Sequence, residues 1–163
     1  MNKTKKEADK QYTFFWSGPF SNWYKANFEA DGQKYTCTEQ HMMYHKAMLF
    51  GDEEIANAIM RTNNPREQKA LGRKVKRFDP KVWDEKCLNI VTEGNIQKFG
   101  QNPELKKKMM ETVGKIICEA SPKDAIWGCG HSEDDHLCWN ESTWRGKNYL
   151  GICLMRVRDH FQL

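Results

Sequence analysis

Four dipeptides punctuate this chain: Asn64-Pro65, Asp79-Pro80, Asn102-Pro103 and Ser121-Pro122. Each places a hydrogen-bond-accepting side chain directly before a proline. Proline lacks an N–H and holds φ near −65°, so it suits the first position of a helix, where the N–H has no partner anyway. The residue before it then caps the free amides of the first turn. Four such starts within 163 residues predict a succession of helices. The longest is expected from Asp79 to Phe99. A further short helical turn is expected after Pro122, with Asp124 at its third position.

Upstream signals are mixed. YTFFW reads as a short aromatic strand, and FEADGQKYT reads as a hairpin around Asp31-Gly32. TCTEQHMMYHKAMLFGD reads as a helix. Thr36 or Thr38 caps it, and Thr36 to Glu39 fits a capping box. Phe50-Gly51 ends this helix, and Asp52 starts a shorter one through Ile55 and Ile59. The C-terminal NYLGICLMRVRDHF is either a last helix or a buried strand followed by a helix. The expected fold class is mainly α, helix-rich and compact, with a small β element near the N-terminus.

Composition narrows the function classes. Hydrophobic residues make up 39 %, aromatic residues 12 %, and there are six Trp, which excludes a disordered chain. The net charge of +4 comes from Lys and Arg spread along the chain, a weak case for a dedicated nucleic-acid binder. GRKVKR, Gly72 to Arg77, is either a solvated helix end or a phosphate contact. No apolar run approaches the length of a membrane span. MNKTKKEADKQY has no apolar core for a signal peptide, so residues 1–12 are expected as a mobile basic tail before a single domain over residues 13–163. The six Cys, with no export signal, are expected as reduced and mostly buried thiols in a cytoplasmic protein.

Several constellations are able to carry chemistry. Glu39 and Lys46 stand seven residues apart, about 10.5 Å along a helix, on roughly one face. That exceeds the usual ion-pair spacing. With Met42 and Met43 between them, they either flank an apolar cleft or edge a core-facing stripe. DAIWGCG offers the Trp127 ring for stacking and glycine amides at Gly128 for a ligand, unless Asp124 is only a first-turn helix acid. STWRGKNYLG gathers Trp144, Arg145, Gly146, Lys147 and Asn148, either an anion- or sugar-binding loop or an ordinary basic loop. SGPFSNWY places Phe20, Ser21 and Asn22 beside two further aromatics; either Asn22 hydrogen-bonds a base or sugar, or the aromatics merely plug the core. Cys129, His131, His136 and Cys138 fall within ten residues, but the gaps of one, four and one are poor for zinc, so no metal and no cofactor is expected. P-loop, GxGxxG, HExxH and GxSxG patterns are all missing from the sequence.

The ordered motifs FSNWY, TEQHMMYHKAMLFGD, NPREQKALGRKV, the Trp83 helix, QNPEL, ASPKDAIWGCG, WRGKNYLG and LMRVRD resemble the NADAR superfamily, also called YbiA-like. The resemblance runs from about Phe14 to the C-terminus. It implies a compact, mainly helical domain with N-glycosidase activity and no metal. It implies one of two substrate groups: ADP-ribose attached to guanine, or a ribosylamino-pyrimidine phosphate of riboflavin biosynthesis. The family's glutamate maps onto Glu39, its helix lysine onto Lys46, its tryptophan onto Trp83, its aspartate before Trp-Gly onto Asp124, and its Gly-Arg onto Gly72-Arg73. The chain departs from the family in its Cys and His content between Gly128 and Trp144.

The implied chemistry is hydrolysis of an N-glycosidic bond. Positive charge builds on the anomeric carbon and ring oxygen, and carboxylates stabilise it or activate water. Glu39 and Asp124 are the expected pair. Lys46 either holds a phosphate or ribose oxygen or attacks the opened sugar as an amine. Trp83 is expected at the catalytic centre, with Arg73, Trp127, Lys147 and Asn148 on the substrate. The expected partner is an ADP-ribose-bearing or phosphorylated ribosyl small molecule, with ADP-ribosylated nucleic acid as a further class and no membrane. The competing reading is a non-catalytic ADP-ribose or nucleotide-binding module.

Overall fold

Helix α2 (Thr38–Leu49) organises one of two compact units, residues 22–103. The computed structural model describes residues 3–163. In this unit a hairpin of β2 (Phe28–Ala30) and β3 (Gln33–Tyr35) turns at Asp31 and Gly32. Their φ values are +52° and +77°, the two left-handed residues a type I′ turn requires. Helices α3 (Glu53–Met60), α4 (Pro65–Gly72) and α5 (Pro80–Gln101) pack around α2. Met42, Met43, Ala47, Ile59, Val91 and Phe99 are buried among them.

The expected caps at three of these helices form. The side chains of Asp52, Asn64 and Asp79 accept from amides of the first turns of α3, α4 and α5. Each such cap is worth roughly 1 kcal/mol. The start of α2 differs from expectation. Cys37 occupies the cap position without a side-chain bond. The Thr36 amide and hydroxyl both donate to Gln40 Oε1, at 2.8 and 3.1 Å, so Thr36 braces the turn from outside rather than capping it.

The second unit comprises residues 3–21 and 104–163 among those described. It contains α1 (Lys5–Gln11), β1 (Tyr12–Phe15), most of α6 (Pro103–Met110), β4 (Ile116–Glu119) and α7 (Tyr149–Gln162). β1 and β4 pair in parallel, from Tyr12 opposite Ile116 to Phe15 opposite Glu119. Helix α7 packs on β4 and buries Leu150, Leu154 and Val157, so the C-terminal run is a helix from Tyr149 onward.

Two expectations fail in this unit. Of the mobile tail over residues 1–12, Met1 and Asn2 lie outside the described residues, and the rest is ordered. Thr4 caps α1 by accepting from the Glu7 amide, Ala8 is fully buried, Lys115 Nζ donates to Asp9 O, and Tyr12 begins β1. The helix predicted after Ser121-Pro122 does not form. Asp124 Oδ1 instead accepts from the amides of Ile126 and Trp127, at 2.9 and 2.8 Å, folding the segment into a side-chain-stabilised turn. From there to Asn148 the chain forms no α-helix or strand, only two short 3₁₀ turns. Among the described residues, no helix is long and apolar enough to cross a membrane.

Candidate active site

Glu39 lies in the first turn of α2 and is only 4 % exposed. The positive end of the helix dipole favours a carboxylate there. Asn22 builds this turn. Its carbonyl accepts from the Glu39 amide at 2.9 Å, and its side-chain oxygen accepts from the Thr38 hydroxyl at 2.8 Å and from Asn95 Nδ2 at 3.4 Å. Asn22 is itself buried. It positions the carboxylate; the structure does not turn it toward a base.

Two turns further on, Lys46 is half-buried between aromatic faces. Its ammonium stands 4.6 Å from the Phe78 ring centroid and 5.9 Å from that of Trp83. Burial lowers its pKa and Arg73 lowers it further, while Glu39 pulls the other way; the net shift is downward. The sequence pair therefore shares one electrostatic environment with Trp83 and Arg73. Arg73 is brought close by a glycine. A Cβ on Gly72 would lie 2.0 Å from Met43 Sδ, so any larger residue at the end of α4 would have to displace the Met43 side chain on α2. Phe78 joins the site without a signal in the sequence motifs. Arg77, at φ +61°, donates to the carbonyls of Phe50 and Gly51, so this member of GRKVKR caps α2.

Lys98 is a second amine that sequence reasoning missed. It is fully buried in α5, with its ammonium 5.7 Å from the Tyr24 ring and 5.0 Å from the Phe99 ring. Burial pushes its pKa down to about 7, opposed by the Cys37 thiol. Cys37 in turn feels Glu39 as well as Lys98. The second amine thus faces the same turn that carries the buried carboxylate. A signal for it exists: Cys87, Val91, Asn95 and Lys98 recur at helical spacing on one buried stripe, and a lysine on such a stripe is unusual.

Trp23 and Tyr24 are 43 % and 38 % exposed, so these aromatics do not plug a core. Lys69 Nζ stands 6.0 Å from the Trp23 ring. The opposite face of α2 opens on a different cleft of about 430 Å³, lined by Glu29, Asp31, His41, His45, Asn89 and Glu93 among others. Burial, then His45, drives His41 down to a pKa of about 3, so it is neutral. Three acids and a neutral histidine make this cleft a poor host for phosphate.

The remaining expected site residues belong to the other unit. Here DAIWGCG and WRGKNYLG zip against each other. The amides of Gly146, Lys147 and Asn148 donate to the carbonyls of Cys129, Ala125 and Gly128, at 2.9 to 3.1 Å. A Cβ on Gly146 would lie 2.2 Å from Gly128 O. These glycines serve close backbone approach, and the three amides that the sequence offered to a ligand are already bonded. Asn148 is likewise engaged: its side chain accepts from the Glu119 amide at 3.0 Å and donates to Ile117 O at 2.9 Å. It holds β4 rather than a sugar. The Trp144 indole donates to Cys138 O. Arg145 Nη2 donates to Pro122 O. Trp127 is half-buried and edge-on to Tyr149 at 5.8 Å, and Lys147 is exposed above the Tyr149 ring. Phe20 packs beside Phe15 at 5.7 Å, and the Ser21 amide donates to Gly18 O.

The NADAR domain family matches residues 13–162. The N-glycosidase R617 of Acanthamoeba polyphaga mimivirus is 45 % identical over 148 residues, covering 88 % of this chain and 87 % of the viral protein. Protein irg-1 of Caenorhabditis elegans is 38 % identical over 156 residues, covering 86 % of this chain and 74 % of its own length. The solution structure of the E. coli protein YbiA superposes with a TM-score of 0.76 at 25 % identity, covering 93 % of this chain and 85 % of YbiA.

Proposed function

Because the chain belongs to the NADAR domain family and is a hydrolase acting on N-glycosyl bonds, we propose that it cleaves a phosphorylated ribose from the nitrogen of a heterocyclic base, in the cytoplasm. The two substrates weighed are ADP-ribosyl-guanine, free or in nucleic acid, and a ribosylamino-pyrimidine phosphate. The observation that carries this reading is Glu39: a nearly buried carboxylate at a helix N-terminus, in the field of a half-buried lysine walled by Trp83 and Phe78.

In this reading the carboxylate of Glu39 faces the anomeric carbon. It stabilises the oxocarbenium-like charge or takes a proton from the attacking water as the C–N bond breaks. The base leaves with the bonding electron pair and picks up a proton. Lys46, with its lowered pKa, either binds a ribose or phosphate oxygen or adds as the free amine to C1 of the opened sugar. Arg73 serves the phosphates, and Trp83 stacks on the base or the sugar. Asp124 enters this reading as a turn-former, since its Oδ1 already serves two amides.

A non-catalytic ADP-ribose module is the weaker alternative, because a buried carboxylate facing an anionic ligand costs binding energy unless the reaction uses it. The test offers purified protein both substrate groups and follows release of the base. Glu39→Gln is expected to abolish turnover with the fold intact. Wild-type rates in that variant would refute the assignment, and ADP-ribose binding without release of base from either substrate would favour the binding module.

A further inference from the structure

The loop between Asp124 and Asn148 holds a small core made largely of sulfur. Cys118 comes from β4, Cys129 from the loop, and Cys138 from the 3₁₀ turn at His136–Trp139. All three are fully buried, together with Ala120, and Phe14, Trp139 and Trp144 pack around them. Their Sγ atoms lie within 4.8 Å of one another, and Cys129 and Cys138 are 3.6 Å apart. No disulfide joins any of them.

We propose that Cys118, Cys129 and Cys138 form a binding site for one thiophilic metal cation, Zn²⁺ or Cu⁺. Thiolate sulfur suits both ions. With metal–sulfur bonds of about 2.3 Å, sulfurs sharing a tetrahedral zinc ion stand about 3.8 Å apart, so small side-chain shifts complete the set. A disulfide accounts for the geometry less well. It engages two sulfurs and leaves the third buried against them. Binding releases the thiol protons and forms metal–sulfur bonds without any change of sulfur oxidation state. His131 stands outside the set: its Nε2 lies 3.1 Å from Thr143 O and its Nδ1 faces Asp135 at 3.8 Å. His136 is exposed.

The site's place in the fold gives it a purpose. The segment it pins has no α-helix or strand to order it, a setting in which a bound metal adds folding free energy. The Cys129 carbonyl also accepts from Gly146, so an ion here would brace the two zipped loops.

The test uses the full chain, reduced under argon, stripped with chelator and desalted. One arm receives Zn²⁺, with Co²⁺ as its spectroscopic substitute, and the other receives Cu⁺ buffered by a competing chelator. The expected result is one ion per chain in at least one arm, a higher thermal midpoint, and for Co²⁺ a thiolate charge-transfer band of three-sulfur intensity. Cys118→Ser and Cys138→Ser are expected to lose the ion, and Cys87→Ser, in the other unit, to keep it. The wild-type cobalt spectrum decides the matter even if the serine variants misfold. Failure of the reduced wild-type chain to take up either ion at stoichiometric concentration overturns the proposal. So does a cobalt complex without a thiolate band, or retention of the ion by a folded Cys118→Ser chain. Because the readouts are uptake and spectra, the result is independent of whether the glycosidase reading holds.

Discussion

Replacing Lys98 by methionine removes a fully buried amine while keeping its length and most of its volume. Burial holds the wild-type pKa at about 7, against 10.5 for an ordinary lysine. Between these values the unfolded chain carries a proton that the folded chain has released. Stability of the wild type therefore rises with pH across this window, because the unfolded state binds more protons, and the penalty is fullest below about pH 7. For a single site with these two pKa values, the gain between pH 7 and pH 9 is roughly 2 kcal/mol. The Lys98→Met chain lacks this group and loses the slope. Urea unfolding of both chains at pH 7, 8 and 9 isolates the effect as a difference, which cancels the other titrating groups. The expected curves converge as pH rises, with Lys98→Met relatively most stable at pH 7. Parallel curves would refute the assignment of a neutralised buried amine. If Lys98 is also used in turnover, the same variant keeps or gains stability while losing activity, the pattern of a residue retained for function at a stability cost.

Three further outcomes are expected. Asp124→Asn keeps an acceptor for the Ile126 and Trp127 amides, so activity should stay within a few-fold of wild type; a loss of roughly 1000-fold in a folded chain would restore the carboxylate to the chemistry. His41, held near pKa 3, is neutral when folded but protonates below about 6.5 when unfolded, so stability should fall by about 1.4 kcal/mol per pH unit as pH drops through that window, and His41→Gln should flatten the slope in urea titrations. Gly146→Ala would press a Cβ to 2.2 Å from Gly128 O and should lower stability by about 1–3 kcal/mol, read by thermal unfolding; an unchanged midpoint would mean that the two loops are not zipped as described.

Much of the helical order was legible because its signals are contiguous. Asp52, Asn64-Pro65 and Asp79-Pro80 each carry cap and helix start side by side, and Asp31-Gly32 carries both residues of its turn. The same signal misled at Ser121-Pro122, where Asp124 had two uses and the turn prevailed over the helix. The Glu39–Lys46 pair was also legible, since helical spacing alone placed both on one face. Strand β4 was not, because a short apolar run becomes a strand only when a partner, here β1 about a hundred residues away, accepts its hydrogen bonds.

Local sequence thus determined where helices begin, where the hairpin turns and which helix face carries the carboxylate and the amine, since capping, turn conformation and helical period act over a few residues. Only the tertiary structure decided that Lys98 loses its charge near neutrality, that Asn148 and the Gly146 amide are tied to backbone, and that Cys118 joins Cys129 and Cys138. The physical reason is desolvation and proximity. A group's charge, free donors and ligand partners depend on what the folded chain packs against it, and those neighbours come from distant positions whose spacing carries no signal of its own.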